Sequence, residues 1–385
     1  MDRRSFMINS ALFTTAASLV PTLVQAQTSV VPTRAAPAPT APRSRRFLLK
    51  QTYALKAPQG SKGAMLLWVP VPEDAAPFQH LRQLRWSGDA QDTYLNSDNA
   101  YGAKTLVARW EDCTQPMHLN VDMLIETRDW EPGKLGLLNA YQPPATIHYP
   151  PEVARFLESS RHIQTDGIVK EYADRIIGRE TNPLKQARLI YDWVSANMER
   201  DNSVIGCGVG DVGKILTSGK LLGKCTDMSS VFVALARAAG IPAREMFGIR
   251  LGRPGVLEPY SKTAFGSADA QGVSNVTGGQ HCRAQFYLAG FGWVPCDPAD
   301  VTKMRLTEKK KHEDADVQAV NDYLFGNWDM NWVGFNYGRD FLLNPAPEMG
   351  PLNNFGYPYA EADGDPLDYY DAATFVYEYL SQEQS

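Results

Sequence analysis

Several common signatures are missing from this chain of 385 residues. There is no GxxxxGK[ST] loop, so phosphate-loop chemistry has no backbone cradle. Neither C-x-x-C nor H-x-x-x-H occurs, which removes the close-spaced ligand pairs of most zinc sites. Lysine and arginine do not cluster with aromatics and the formal net charge is −5, so nucleic acid is not an expected partner. The longest basic run, Lys309 to Lys311, sits among acids in "TEKKKHEDADV" and reads as a solvated loop. Beyond the N-terminus no integral membrane segment is expected, because no apolar run is long enough to cross a bilayer. With 44% hydrophobic and 21% charged residues, what remains is an ordinary globular chain with room for two domains.

The first residues read as an export signal. Arg3 and Arg4 precede a modestly apolar stretch from Met7 to Val20, and "VQA" offers a small-x-small cleavage pattern ending at Ala26. "DRRSFM" resembles the twin-arginine motif, with the general secretory route as the alternative. Removal of residues 1–26 would take away Asp2, Arg3 and Arg4, a net +1, and leave −6 on a periplasmic or secreted chain. Residues 27–45 are proline- and alanine-rich and cannot bury a core, so they are expected as a flexible linker.

From 46 to 150 the chain alternates in short segments such as "AMLLWVPVP" and "LNVDMLIETR", which predicts a small β-sandwich. Cys113 is its one cysteine and is expected to be buried. Helical spacing then takes over in "GIVKEYADRIIGR" and in "NPLKQARLIYDWVSANM", where Asn182 and Pro183 are start signals. A glycine-rich connection follows, whose glycines let the backbone bend close to the next helix. That helix carries an apolar stripe of Met228, Val231, Phe232, Leu235, Ala236 and Ala239, and Gly240 and Pro242 end it. Cys225 lies in its first turn, where unpaired N–H groups and aligned peptide dipoles favour thiolate over thiol. A cysteine taken alone is usually a small buried hydrophobe; a nucleophile also needs a base and a group that orients the base.

"GGQHCRAQFYLAGFGWVPCDPAD" supplies both. Two strands with "AGFG" as the turn form a hairpin, and if Asp297 opposes His281 the carboxylate fixes the imidazole's tautomer and orientation. The same register would oppose Cys296 to Cys282, as a cross-strand disulfide or as two buried thiols. A metal site made of Cys225, His281 and Asp297 is a weaker alternative.

These segments resemble the transglutaminase-like superfamily of papain-type cysteine enzymes. Gly223-Lys224-Cys225 opens the helix, Gly240-Ile241-Pro242-Ala243-Arg244 ends it, and His281, then Gly292-Trp293-Val294-Pro295, then Asp297-Pro298 follow in order. The resemblance implies an α+β fold: a papain/transglutaminase-like core in which the cysteine at a helix N-terminus packs on an antiparallel sheet, preceded by a β-sandwich. It also implies Cys225 as nucleophile, His281 as general base and acid, and Asp297 as the orienting carboxylate, with no cofactor. Members often read "HAW" where this chain reads "HCR", and no Gln, Asn or Trp stands between Cys207 and Lys224 to complete an oxyanion hole.

The core is expected over 151–345, and 346–385 as an acidic, tyrosine-rich tail that packs as a short helix or stays mobile. Trp328, Trp332, Phe335 and Tyr337 are expected to cover the sheet or, alternatively, to wall the substrate cleft with Arg339 or Asp340 at its edge. Trp293 is expected as a core anchor beside the site. The chemistry predicted is acyl transfer on a peptide or protein substrate, with hydrolysis by a protease or amidase ahead of transamidation. A silent peptide- or cell-wall-binding module is the competing class.

Overall fold

The computed structural model describes residues 43–75, 78–133, 136–256, 260 and 268–384. The expected signal, residues 1–26, and nearly all of the expected linker lie outside them.

The strands β1 (Ser44–Leu55), β2 (Met65–Pro70), β3 (Gln79–Gly88), β4 (Asp92–Asn96), β5 (Thr105–Trp110) and β6 (Met117–Arg128) build two facing antiparallel sheets. β6 shows why: in "MHLNVDMLIETR" Leu119, Val121 and Met123 are buried and the intervening residues are exposed, the period-two pattern of a strand with one wet face. Phe47, Leu49, Val121 and Ile125 of one sheet meet Leu67, Val69, Leu106 and Ala108 of the other in a shared core that also buries Cys113.

Residues 46–150 do not complete these sheets by themselves. β10 (Val273–Asn275), β16 (Tyr359–Ala362), β17 (Asp365–Pro366) and β18 (Phe375–Gln384) join them, in the orders β10-β18-β1-β6-β3 and β17-β16-β2-β5-β4. β18 pairs with β1 from Arg46↔Gln384 to Leu55↔Phe375. The stretch expected as a helix or mobile tail is therefore a strand inside a sheet. Its acids do not prevent this, because Phe375, Tyr379 and Ser381 point inward while Glu378 stays on the wet side.

Between these parts runs the helical half: α1 (Pro151–Ala154), α2 (Ile168–Ile177), α3 (Pro183–Asn197), α4 (Val212–Ser218) and α5 (Cys225–Ala238). Asn182 caps α3 as predicted, its side chain accepting from the Leu184 amide at 2.9 Å. A two-residue parallel pair, β7 (Glu199–Arg200) with β8 (Leu222–Gly223), holds the approach to α5. Every residue from Cys225 to Arg237 is buried, well beyond the predicted stripe. α5 has no wet face because α2, α3 and α4 surround it on one side and a four-stranded sheet covers the other. Past its end Gly240 takes φ +82°, and the Ile241 amide donates to the Ala236 carbonyl.

That sheet has the order β12-β11-β9-β13, from β9 (Ala243–Arg250), β11 (Gln280–Leu288), β12 (Gly292–Cys296) and β13 (Trp332–Asn336). β11 and β12 form the predicted hairpin in a different register. Ala284 opposes Cys296 and Leu288 opposes Gly292, with Gly290 at φ +78° in the three residues between. With Gly290 in the left-handed region the loop closes in three residues, one fewer than the predicted turn, and Gly292 belongs to the strand. Asp297 then falls level with Arg283, and Cys296 does not face Cys282. All five cysteines are free. The helices α6 (Pro298–Thr307) and α7 (Ala315–Leu324) follow.

Candidate active site

Cys225 is the first residue of α5, so its sulfur sits at the positive end of a 14-residue helix. A carboxylate organises that end: Asp227 accepts from the amides of Lys224 and Gly210, each at 2.8 Å. Gly208, at φ +95°, passes so close that a Cβ there would collide with the Asp227 carboxylate. This is the close approach that the glycine-rich connection was expected to serve, and it brings a second thiol with it. The Thr226 amide donates to the Cys207 carbonyl at 2.9 Å, and the Sγ atoms of Cys207, Cys225 and Cys282 lie within 4.8 Å of one another.

His281 comes from the start of β11, with its Nε2 2.7 Å from Asp297 Oδ2. The two-residue register shift keeps Asp297 on the same face as His281, since side chains alternate with period two and the contact simply becomes diagonal. Asp297 is also the N-cap of α6. Its Oδ1 accepts from the Asp300 amide at 3.1 Å while Oδ2 takes the imidazole, so one buried carboxylate anchors a helix and orients a base. With Nε2 engaged, Nδ1 is the nitrogen left to face the Cys225 sulfur.

The electrostatics follow from these neighbours. Hydrogen bonds from Cys207 and then Cys282, with His281 behind them, outweigh burial and hold the Cys225 thiol well below its ordinary value. The shared hydrogen bond with Cys225 keeps Cys207 raised, and burial keeps Cys282 raised. Cys207 has one proton to give, and the Gln280 carbonyl at 3.3 Å competes for it; a charge on Cys225 draws that proton to the sulfur. Burial and the Arg250 charge press His281 toward the neutral form, but Asp297 and Asp300 outweigh them and raise its pKa.

Residues that the sequence reading did not single out complete the site. Asp300 lies 3.6 Å from His281 Nε2, accepts from both terminal nitrogens of Arg250 at 2.5 and 2.8 Å and takes the Tyr260 hydroxyl at 2.7 Å. Its position three residues after Asp297, in the first turn of a helix, was the available signal. Arg283 is wholly buried; its guanidinium lies over Trp332 at 4.8 Å, within 3.4 Å of Asp297 Oδ2. It stands where members of the resembled family often carry an aromatic. For Cys207 no local pattern could have served, and Cys282, expected opposite Cys296, instead joins Cys207 and Cys225.

The expected aromatic segment packs as sheet cover. Trp328, Trp332 and Phe335 are buried, and Trp332 Nε1 donates to the His281 carbonyl at 2.9 Å. Arg339 pairs with Glu245 at 3.8 Å, and Asp340 binds Ser160 and His162. Trp293 packs on Phe156, Tyr287 and Arg244. The cleft is instead a cavity of about 530 Å³ that Cys207, Cys225 and His281 reach, with Tyr357, Tyr370 and Tyr377 among its walls. Among the described residues, two groups of ligand-type atoms are close enough to share a cation: the three thiols, and His281 with Asp297 and Asp300. The predicted metal alternative of Cys225, His281 and Asp297 divides between them.

Residues 170–298, which contain all three predicted site residues, match the family described as the transglutaminase-like superfamily. An uncharacterized protein of Haemophilus influenzae is 59% identical over 333 residues, 86% of this chain and 90% of that one. Solved structures with similarity include a candidate cysteine protease from Cytophaga hutchinsonii, at 15% identity and TM-score 0.48 over 89% of this chain and 98% of that one. The periplasmic domain of TgpA from Pseudomonas aeruginosa aligns at 14% identity and TM-score 0.31, over 70% and 92%. The region 170–298 of this chain belongs to the transglutaminase-like superfamily.

Proposed function

We propose that the protein performs thiol-dependent acyl transfer on peptide or amide bonds, with hydrolysis as the outcome. The Cys225 thiolate attacks the carbonyl carbon, the C–N bond breaks, and His281 delivers its proton to the leaving amine to give a thioester. His281 then takes a proton from water as water attacks the thioester, releasing the acid and restoring the thiol–imidazole pair. The Cys225 amide at the helix end is the oxyanion donor, since the Thr226 amide is already committed to Cys207. Asp297 holds the ring and supports its positive charge. The N-terminal segment favours a site of action in the periplasm or beyond.

The observation that carries this reading is one sulfur at the start of a buried helix beside an imidazole whose far nitrogen is held by a buried carboxylate at 2.7 Å. Polar walls let water reach the thioester, which favours hydrolysis over transfer to a second amine. The test is the rate at which iodoacetamide modifies each cysteine against pH, mapped by peptide mass in wild type and in His281→Ala. Cys225 should react fastest, with a midpoint well below the ordinary value of about 8.5 that rises in the variant. A Cys225 that titrates normally in both would end the enzyme reading in favour of a silent binding module.

A further inference from the structure

The cavity in front of Cys225 does not share the charge of the molecule. The chain carries a formal −5, yet among the described residues four cations, Arg200, Lys224, Arg250 and Lys303, reach this cavity and Asp300 is the one carboxylate that does. Asp300 is already committed to Arg250 and the Tyr260 hydroxyl. Arg200 and Lys224 spend their hydrogen bonds on neutral partners, the Asn202 side chain and the Val204 carbonyl. Among the described residues neither has a carboxylate within ion-pair distance. Asp201, whose carboxylate feels the Lys224 charge, is half-buried and takes hydrogen bonds from Ser203. Burial first, then the like charge of Arg250, pushes Lys303 down to about 8 against the opposing pull of Asp300, so it is still largely charged at neutral pH.

Adding to the acyl-transfer reading, on which this rests, we propose that the substrate carries a carboxylate close to the scissile amide, seated among Arg200, Lys224 and Lys303. An anion there makes charge-assisted hydrogen bonds and relieves the repulsion among the cations. An acyl donor whose carboxylate is replaced by a carboxamide loses both.

The sulfur itself can report this before any substrate is known. Iodoacetate and iodoacetamide deliver nearly the same carbon to a thiolate, one with a negative charge and one without, so the ratio of their rates cancels the thiolate fraction. Measured on the full chain at low salt and referred to the same ratio for glutathione, Cys225 should favour iodoacetate by about fivefold or more, each cation contributing about threefold across a wet cleft. The preference should fall by about twofold to threefold in Lys303→Gln and in Arg200→Gln, and should collapse near 1 M salt, where the screening length is about 3 Å. Matched amides bearing a carboxylate or a carboxamide should then differ in kcat/KM in the same direction. If Cys225 reacts rapidly with both reagents and shows no preference for the anion, the proposal is overturned while the acyl-transfer reading stands. If Cys225 reacts slowly with both, the acyl-transfer reading fails and the proposal goes with it.

Discussion

The most informative single change is Asp297→Asn. The substitution keeps the shape of the side chain and removes its charge. An asparagine caps a helix about as well as an aspartate, so α6 keeps its start, but wholly buried Arg283 loses the carboxylate 3.4 Å away and unfolding should become easier by about 3 kcal/mol. The imidazole loses its charged partner too. A full charge 2.7 Å from the ring nitrogen interacts by about 6 kcal/mol at an effective dielectric constant of about 20, which is an upper bound. Asp300 remains 3.6 Å from the same nitrogen, and the amide oxygen still accepts a hydrogen bond. A loss of about 2 to 3 kcal/mol is the reasonable share, or about two pKa units on His281, downward. Protonated His281 helps to ionise Cys225, so the midpoint of Cys225 alkylation by iodoacetamide should rise by one to two units. The assay is the pH profile of that alkylation, with thermal unfolding in parallel. A midpoint that moves by less than about half a unit in a folded Asp297→Asn protein would refute the claim that this carboxylate supports the imidazolium.

Three further outcomes are expected. Gly208→Ala should destabilise the fold by about 2 kcal/mol or more and slow Cys225 alkylation, because the new Cβ collides with the Asp227 carboxylate at a backbone angle suited to glycine; denaturant unfolding and the alkylation rate check both. Hydrogen bonds from His162 and Ser160 outweigh burial and hold Asp340 at about 2 against an ordinary 3.8, so the pair's contribution is complete above about pH 4 and is lost as pH falls toward 2. Denaturant midpoints across that window should fall by the equivalent of about 2 kcal/mol, and Asp340→Asn should flatten that limb. Denatured without reductant, the chain should take up five equivalents of iodoacetamide, and a value of three would mean that one disulfide exists.

Much of the site was legible because its signals are local. A cysteine before an apolar helix, a helix ended by glycine and proline, and a histidine strand followed by Asp-Pro are each written in consecutive residues. The hairpin was legible as a hairpin, but its register was misplaced by two. Pairing depends on whether Gly290 adopts a left-handed conformation, and composition does not decide that. Asp297 still reached His281, because a shift of two residues preserves the face. What stayed hidden was brought together over long separations. Cys207 meets Cys225 through a loop that turns on Gly208, Cys282 arrives from a strand more than fifty residues later, and Arg250 finds Asp300 across the sheet. β18 was misread for a similar reason: its tyrosines and acids suit an edge or a surface, and only the open flank of β1 makes them a strand.

That last pairing has a consequence for how the molecule comes into being. Leu55 pairs with Phe375, 320 residues further along the chain. A ribosome releases β1 long before β18, so until those intervening residues have been made β1 has an unsatisfied row of amides and carbonyls on that flank. The partner that closes it arrives after the thiol, the imidazole and the carboxylate have all been made. A growing chain of this kind cannot finish its first domain before its second, and a truncation that spares every residue of the proposed chemistry but stops short of Phe375 would leave an adhesive edge exposed.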